Sequence, residues 1–503
     1  MAKNILSLIV ALSLSLIAVA QVNKGALKAY DRAIDAYIIM DYEQVFVELD
    51  LAIKKSPNFS KPYFMKAQVM RDQRRYDLAI EFLKKGLEID DSKYYRGWFE
   101  LAELCWGEGM YAEGKSAIES FKNTRAYEEF VRDTTLFSHY IRVKEGLDFS
   151  LQHINDSVDF DAHKLSESIN TEKPEYYPSL SLDNKIIIMT RRYKPIGAAY
   201  DQEDFYIAKW SNRMNGWSNA EPIPGINTSA NEGAASISGD GSTIVFTACE
   251  SPGIGYGKRV GKGSCDLFES TFDPEMGRWS IGTNIGAPNS SLWESQPTLS
   301  ADGKFLVFAR AKHVRGVGSD LFGSYRQEDG SWSEPFRLEG EINTPFEEES
   351  PFLHPDGKTL YFSSNGHPGL GNLDIFMSTL QHDGTWGTPT NLGSPLNTNA
   401  DENSLIVESA GDFAIFSSDR GNINGDMDLW RVRLKEEVKP EAIGVLRGMV
   451  VDNASDQMLE ATVILVNSET GGLVASVESG SNKGFVLPLP AEGRYSFQVD
   501  KEG

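Results

Sequence analysis

Five aspartates recur once per repeat and form the most regular set of ionisable side chains in the sequence. Carboxylates gathered in a ring could act as general acids or bases. Because the same residue returns in every repeat, we instead expect each one to tie a turn through hydrogen bonds. No catalytic residue is predicted from this set, which is spaced by 62, 54, 54 and 54 residues: Asp204, Asp266, Asp320, Asp374 and Asp428.

The short signatures of common catalytic sites are missing. No G-x-S-x-G, H-E-x-x-H or C-x-x-C occurs, so hydrolase, zinc-protease and thiol-redox chemistry lack sequence support. Gly255–Gly263 is glycine-rich, but its spacing is wrong for a phosphate loop and no Ser or Thr follows its lysine. Asn422, Asn424, Asp426 and Asp428 alternate as Ca²⁺ ligands can, yet no bidentate glutamate follows at loop spacing. We therefore predict no enzymatic activity, no metal and no cofactor.

Composition narrows the class of protein. The chain has 503 residues, with 49 Lys and Arg against 72 Asp and Glu, which gives a formal net charge of −23. Such an acidic surface repels phosphate backbones, so nucleic acid is not an expected partner. The length predicts about three domains. Three cysteines and seven histidines exclude a disulfide-built scaffold and a histidine-rich metal enzyme.

The first twenty residues have the pattern of a secretory signal peptide. Lys3 precedes the apolar run 5–17, and Ala18-Val19-Ala20 forms a cleavage pattern before Gln21. The run is too short for a comfortable membrane span, although an uncleaved N-terminal anchor is the alternative. We predict export to the periplasm, with an association with the outer membrane and without a membrane-spanning segment.

A helical repeat of 34 to 35 residues occupies the N-terminal part. It is marked by Tyr42, Tyr76 and Tyr111, with small residues in register at Ala33, Ala67 and Ala102. Alternating small and large side chains allow antiparallel helices to pack closely in stacked pairs. The pattern resembles three tetratricopeptide (TPR) repeats over 26–59, 60–93 and 94–127, followed by a capping helix, so that an all-α solenoid spans 21–151.

The TPR resemblance implies a concave groove that binds other proteins. Aromatic side chains there would provide contact area for a peptide or helix at low entropic cost. The alternative is that the same rings fill the core between helices or meet the next domain. The groove positions implied by the resemblance are Tyr30, Tyr37, Phe64, Arg71, Phe99 and Trp106.

A second repeat of about 54 residues covers 152–433. A complete unit contains Glu349–Leu353, an Asp356-Gly357 turn, a second apolar run, and Trp386, with equivalent tryptophans at Trp217, Trp279 and Trp332. Asp-Gly supplies the positive φ of a tight hairpin, and the flanking runs are typical of strands. Four strands per unit indicate a β-propeller blade, and the repeat resembles the WD40-like propellers of TolB-type periplasmic proteins.

The propeller is expected to have five blades, with six as the alternative if a degenerate unit lies in 130–170. Ile169-Asn170-Thr171 precedes the first unit, whereas the last unit ends near Val432 without this segment. An N-terminal strand that completes the last blade would remove the exposed edge. Cys249 ends the second strand of one blade and Cys265 begins its third, so we predict a disulfide, with two free thiols as the alternative; Cys105 is expected to be a buried thiol.

The sequence pattern changes again in the C-terminal part, after a linker over 434–443. Short alternating runs over 444–503 resemble a carboxypeptidase regulatory-like module, a transthyretin-like β-sandwich. The family normally has another strand or two, so the module is expected to be truncated. The fold class is thus multidomain: an all-α TPR solenoid, an all-β propeller and a partial β-sandwich.

This domain order resembles periplasmic proteins of OmpA-family architecture, including the PorE-type subunits of the type IX secretion system. The resemblance implies a non-enzymatic scaffold that binds envelope or secretion-system proteins through the TPR groove and propeller face. Peptidoglycan would be bound only through a domain absent from this sequence. The alternative is a propeller that binds a small ligand or glycan, with the TPR repeats used for oligomerisation.

Overall fold

A computed structural model describes residues 22–154, 156, 162–312, 318–422, 424–480 and 484–501. The expected signal peptide lies outside these residues. The chain divides into two compact units, one formed by the residues up to Leu104 with Ser116–Glu129, the other by Cys105–Lys115 with the chain from Phe130. None of the described helices is long and apolar enough to cross a bilayer.

The N-terminal region is helical, as predicted. The first helix buries Ala29 and Ala33 at the spacing of one helix face, and this stripe packs on Leu49 of the second helix. In the second helix pair, a Cβ on Gly86 would lie 2.4 Å from the Phe64 ring, so only glycine admits that ring. The helices are α1 Lys24–Ile38, α2 Tyr42–Lys55, α3 Lys61–Asp72, α4 Tyr76–Asp90, α5 Gly97–Gly107, α6 Tyr111–Phe121, α7 Arg125–Arg132 and α8 Thr134–His153, with 3-10 turns at Asp91–Lys93 and Glu436–Val438.

Within the described residues from 163 to 433, the chain forms five antiparallel sheets, which are the blades of a propeller. Blade 1 contains Glu175–Leu180, Ile186–Tyr193, Gln202–Ser211, Gly216–Trp217 and Glu221–Pro222; blade 2 contains Asn231–Ile237, Thr243–Cys249, Cys265–Asp273, Arg278–Trp279 and Thr283–Asn284. Blade 3 contains Glu294–Leu299, Phe305–Ala311, Ser319–Tyr325 and Phe336–Arg337; blade 4 contains Glu348–Leu353, Thr359–Ser364, Asp374–Thr379 and Thr390–Asn391. Blade 5 contains Glu402–Val407, Phe413–Ser418, Asp428–Arg433 and His163–Lys164.

The last blade takes its outer strand from the start of the propeller. His163 pairs with Arg431, and Lys164 pairs with Trp430. Asn170 lies beyond this strand, and its amide receives the Leu429 N–H at 2.9 Å and donates to the Leu429 carbonyl at 2.9 Å. These contacts close the ring and cover the edge that the last blade would otherwise expose.

The hydrophobic core lies between successive blades. Phe205 of blade 1 packs edge-to-face on Phe246 of blade 2, with ring centroids 5.7 Å apart, and Phe246 packs in turn on Phe268. All three side chains are completely buried. Sheets that are apolar on both faces can be sandwiched in this way, which explains the near-continuous apolar runs in the sequence.

Cys249 and Cys265 are cross-strand neighbours in blade 2 and are joined by a disulfide across a separation of 16 residues. Cys105 is free and buried.

Replacing both bonded cysteines by serine is expected to destabilise blade 2 by about 3 kcal/mol, because a loop of this length gains chain entropy when it opens. Thermal unfolding with and without dithiothreitol would measure the effect. The reductant should lower the wild-type midpoint and leave that of the double variant unchanged. An equal response of both proteins would contradict the prediction.

The C-terminal region is a small two-sheet structure. Ile443–Gly448 pairs with Phe485–Pro490, and Ala461–Asn467 lies between Leu473–Ser479 and Tyr495–Asp500. Val463 and Leu465 are buried between the sheets. The region contacts the propeller through the ion pair of Arg447 and Asp183, at 2.9 Å.

Candidate ligand-binding site at the propeller centre

Each blade has the same irregularity in its innermost strand. The register of the strand pair shifts by a bulge two to four residues after the strand begins. One residue in each bulge has a positive φ although it is not glycine, a conformation that is uncommon and costs energy. The five residues have φ between 49° and 56°: Tyr177, Ala234, Gln296, Ser350 and Ser404.

The bulges turn backbone N–H groups towards the neighbouring blade. The Ala234 N–H donates to Thr190 Oγ1 of blade 1 at 3.0 Å, and the Gln296 N–H donates to Thr247 Oγ1 of blade 2 at 3.1 Å. The Ser350 N–H donates to Gln296 Oε1 at 2.7 Å. Because a bulge removes a residue from the strand ladder, these side chains supply the partners that the ladder no longer provides.

The five bulges surround a central cavity of about 80 Å³. Tyr177, Gln296, Ser350 and Ser404 line it near the start of the innermost strands, and aliphatic residues such as Leu299 line it farther along. The volume is below that of a typical whole-ligand pocket, so the cavity admits water or one group of a larger ligand.

Three polar side chains from three different blades meet beside the cavity. Gln296 Nε2 donates to the Tyr177 hydroxyl at 2.8 Å and to the Glu349 carboxylate at 3.2 Å. A phenol, an amide and a carboxylate together offer donors and acceptors at short range. They can therefore bind a ligand rich in hydroxyl groups.

Glu349 has an altered acidity. Burial raises the pKa of its carboxyl group to about 7, the charges of Glu347 and Asp401 raise it further, and the hydrogen bond from Gln296 opposes the shift. Burial likewise raises the pKa of the Tyr177 hydroxyl, so the phenol stays protonated. A carboxyl group that titrates near neutral pH can exchange a proton with a bound ligand.

Glu349→Gln is expected to raise the free energy of unfolding at pH 8 by on the order of 1–2 kcal/mol. This is less than the full pKa shift of Glu349 would give, because its side chain is partly exposed to solvent. The folded-state pKa lies above the unfolded-state value near 4.5, so the folded protein binds the extra proton between these values. Wild-type stability attributable to Glu349 therefore falls as pH rises from about 4.5 to 7. Urea unfolding of both proteins at pH 5 and pH 8 measures it. A difference that does not change with pH would contradict the prediction.

A ring of buried carboxylates supports the site and was not foreseen from the sequence. In each blade the carboxylate accepts the backbone N–H and the hydroxyl of a Thr or Ser four residues earlier. The T/S-x-x-x-E spacing was the available signal. These residues are fully buried and hold the start of each innermost strand: Glu175, Glu232, Glu294, Glu348 and Glu402.

The five recurrent aspartates bind local loop and strand groups. Asp266 and Asp374 each accept two backbone N–H groups from the loop before them. Asp320 is paired with Arg337 at 2.8 Å, and Asp428 with Lys164 at 2.6 Å. Asp204 accepts the Tyr193 hydroxyl at 2.6 Å. Each carboxylate has its own partners, and none of these contacts joins one aspartate to another.

In the first group of predicted groove residues, two rings pack on aromatic rings in the loops between helices. Tyr30 packs edge-to-face on Phe59, with centroids 5.4 Å apart. Phe64 packs on Tyr94 at 5.1 Å. Phe99 is buried. These aromatic rings thus contribute to the packing between helices.

The second group is more varied. The Tyr37 hydroxyl donates to Asp72 at 2.6 Å, and Arg71 pairs with Glu100 at 2.9 Å; both side chains keep part of their surface exposed. Trp106 is buried, and its indole N–H donates to Ser150 Oγ of α8 at 3.3 Å. Partner binding through Tyr37 and Arg71 stays a prediction.

The glycine-rich segment 255–263 forms a loop between the second and third strands of blade 2 and does not open a helix. Two of the four candidate Ca²⁺ ligands are hydrogen-bonded to each other, since Asn422 Nδ2 donates to the Asp428 carboxylate at 2.8 Å. Across the described ranges, no group of three or more His, Cys, Asp or Glu could hold a metal ion.

No protein-family model matches the sequence, and no curated protein matches it either. Solved structures similar to the propeller include an α-L-arabinofuranosidase from Lactobacillus brevis, at 16% identity over 55% of this chain and 95% of that chain, with a TM-score of 0.37. An endo-arabinase from Bacteroides thetaiotaomicron is 12% identical over 54% and 97%, with a TM-score of 0.35. The N-terminal domain of STI-1 from C. elegans is 19% identical over 24% and 94%, with a TM-score of 0.21.

These comparisons correct two predictions. The propeller neighbours include family-43 glycoside hydrolases, and this finding contradicts the predictions of a non-enzymatic scaffold and of no enzymatic activity. The alternative, a propeller that binds a ligand or glycan, agrees better. With TM-scores below 0.5, these similarities assign neither an activity nor site residues to this chain.

Proposed function

We propose that the propeller centre binds a saccharide, with Tyr177, Gln296 and Glu349 contacting its hydroxyl groups. The observation that supports this most directly is the hydrogen-bonded chain of these three side chains, which come from blades 1, 3 and 4. Because the cavity is small, one polar group of the sugar enters it and the rest lies at its mouth.

Isothermal titration of the full chain with neutral mono- and oligosaccharides tests this proposal. Tyr177→Phe removes one hydroxyl and should weaken binding about 5- to 10-fold, the usual effect of one hydrogen bond. Tyr200→Phe is the matched control, since Tyr200 is 69% exposed on a loop of blade 1. The proposal fails if no sugar binds saturably, or if Tyr177→Phe binds as the wild type does.

Glycoside hydrolysis is a second candidate function, favoured by the raised pKa of Glu349. Hydrolysis of a glycosidic bond uses one protonated carboxyl group and one carboxylate. Glu349 would donate the proton, and Glu347 or Asp401, whose charges act on Glu349, would supply the second group. Glu349→Gln should then abolish release of reducing sugar while sugar binding persists. Release that continues in this variant would exclude the role.

We also propose that the chain is exported to the periplasm, on the pattern of residues 1–21 and the disulfide of blade 2. N-terminal sequencing of the protein recovered from a periplasmic fraction should begin at Gln21. Recovery in the cytoplasm with residues 1–20 intact would contradict export.

A further inference from the structure

A cleft of about 690 Å³ lies in blade 2, separate from the central cavity. Three segments form its walls: 225–229 before the innermost strand, 254–258 in the glycine-rich loop, and 278–281 at the outer strand. The described lining contains two cationic side chains, Lys258 and Arg278, and no Asp or Glu. In a chain of net charge −23, this is a local reversal of sign.

The two cations of the cleft are unpaired in the described part of the chain. Lys258 and Arg278 are exposed, and neither makes an ion pair or side-chain hydrogen bond among the described residues. The nearby Asp273 carboxylate is outside the lining and accepts the N–H groups of Glu275 and Met276. Both cations are therefore available to an anion.

One buried guanidinium holds the three walls together. Arg259 follows Lys258 directly, and its side chain is 1% exposed. It donates to the Ile226 carbonyl at 2.6 Å, to the Ile281 carbonyl at 2.6 Å, and to Glu232 at 2.6 Å. Arg259 thus directly follows the wall 254–258 and binds a backbone carbonyl in each of the other two walls.

Two glycines allow the walls to approach closely. A Cβ on Gly225, where φ is +93°, would lie 2.2 Å from the Trp279 carbonyl oxygen. A Cβ on Gly257, where φ is +68°, would lie 2.7 Å from Thr228 Oγ1. The Cys249–Cys265 disulfide closes the base of the loop. The cleft is consequently preformed, which lowers the entropic cost of binding.

We propose that this cleft binds a small organic anion. Lys258 and Arg278 would bind its phosphate, sulfate or carboxylate group through charge-assisted hydrogen bonds. The partly exposed side chains of Ile254 and Ile281 would contact its apolar body. The site is distinct from the saccharide site at the centre and does not depend on Tyr177 or Glu349.

Titration of the full chain with phenyl phosphate, benzoate, inorganic phosphate and sulfate at low salt tests the proposal. At least one organic anion should bind saturably, more tightly than the inorganic ions, and less tightly as salt is added. Lys258→Ala with Arg278→Ala should weaken this binding at least about tenfold, since both charges are lost. Lys209→Ala with Arg213→Ala is the matched control and should bind as the wild type does, because these exposed cations lie outside the cleft.

The outcomes separate the alternatives. The proposal is overturned if neither organic anion binds saturably, if inorganic phosphate or sulfate binds as tightly as they do, or if the two double variants lose affinity equally. Glu349→Gln should leave anion binding unchanged, so failure of the central saccharide site does not affect this result. Circular dichroism of each variant verifies that the fold is intact.

Discussion

Arg259→Met is expected to destabilise blade 2 by about 3–5 kcal/mol, the cost of leaving a buried charge without its partner. Glu232 is fully buried, and the Arg259 guanidinium is its ion-pair partner in the described structure. Burial raises the pKa of Glu232, whereas Arg259 and Thr228 oppose that shift. Loss of the guanidinium therefore leaves a carboxylate that must either remain charged without an ion pair or take up a proton.

Urea unfolding, with hydrogen exchange of blade 2 peptides to localise the effect, would measure this loss. Adding Glu232→Leu should recover part of the stability, because two apolar side chains can replace a buried ion pair. The deficit of the single variant should shrink as the pH falls, since protonation removes the unpaired charge. Lys209→Ala is an exposed control. A single variant as stable as the wild type, or a double variant that is worse than the single one, would contradict the prediction.

Asn170→Ala is expected to lower the free energy of unfolding by about 2 kcal/mol and to loosen the closure of the ring. The variant leaves the Leu429 N–H without its side-chain acceptor, whereas the Leu429 carbonyl still accepts the Leu165 N–H at 2.9 Å. An unsatisfied buried backbone group costs about 1–3 kcal/mol. Hydrogen exchange should accelerate in the strand Asp428–Arg433, to which the N-terminal strand is paired.

Asn289→Ala is the matched control for this experiment. Asn289 makes the same two bonds, to the Leu267 N–H and C=O groups. It lies between two consecutive blades and does not join the first and last parts of the propeller. Both variants should lose stability, whereas only Asn170→Ala should increase exchange in blade 5. If hydrogen exchange in blade 5 were equal in both variants, Asn170 would have no particular role in closing the ring.

Architecture was largely predictable because it depends on local repetition. The 54-residue period and the Asp-Gly turns indicate four-stranded units, and the described residues form five blades, of which blades 1 and 2 have a short fifth strand. The segment Ile169-Asn170-Thr171 identified the closing contact, since it is the repeat element that the last unit lacks. The resemblance to the PorE-type family and its envelope partners stays a prediction supported by sequence pattern alone.

The groove was harder to predict. Six side chains were assigned to it from repeat positions, yet Phe99 and Trp106 are buried. An aromatic residue on a helix gives the same sequence signal whether it packs on a neighbouring helix or faces a groove. Repeat position therefore determines which helix carries a ring, whereas the packing of that ring is decided by its neighbours.

The sequence by itself determined the repeats, the strand order and the pair of cysteines that can bond. Tertiary structure alone decided which side chains meet: Gln296 lies 119 residues from Tyr177 and 53 from Glu349, and contacts both. The reason is physical. Strand formation depends on neighbours in sequence, whereas the central site requires bulges in separate blades to point into one space, and this happens only when the ring is closed.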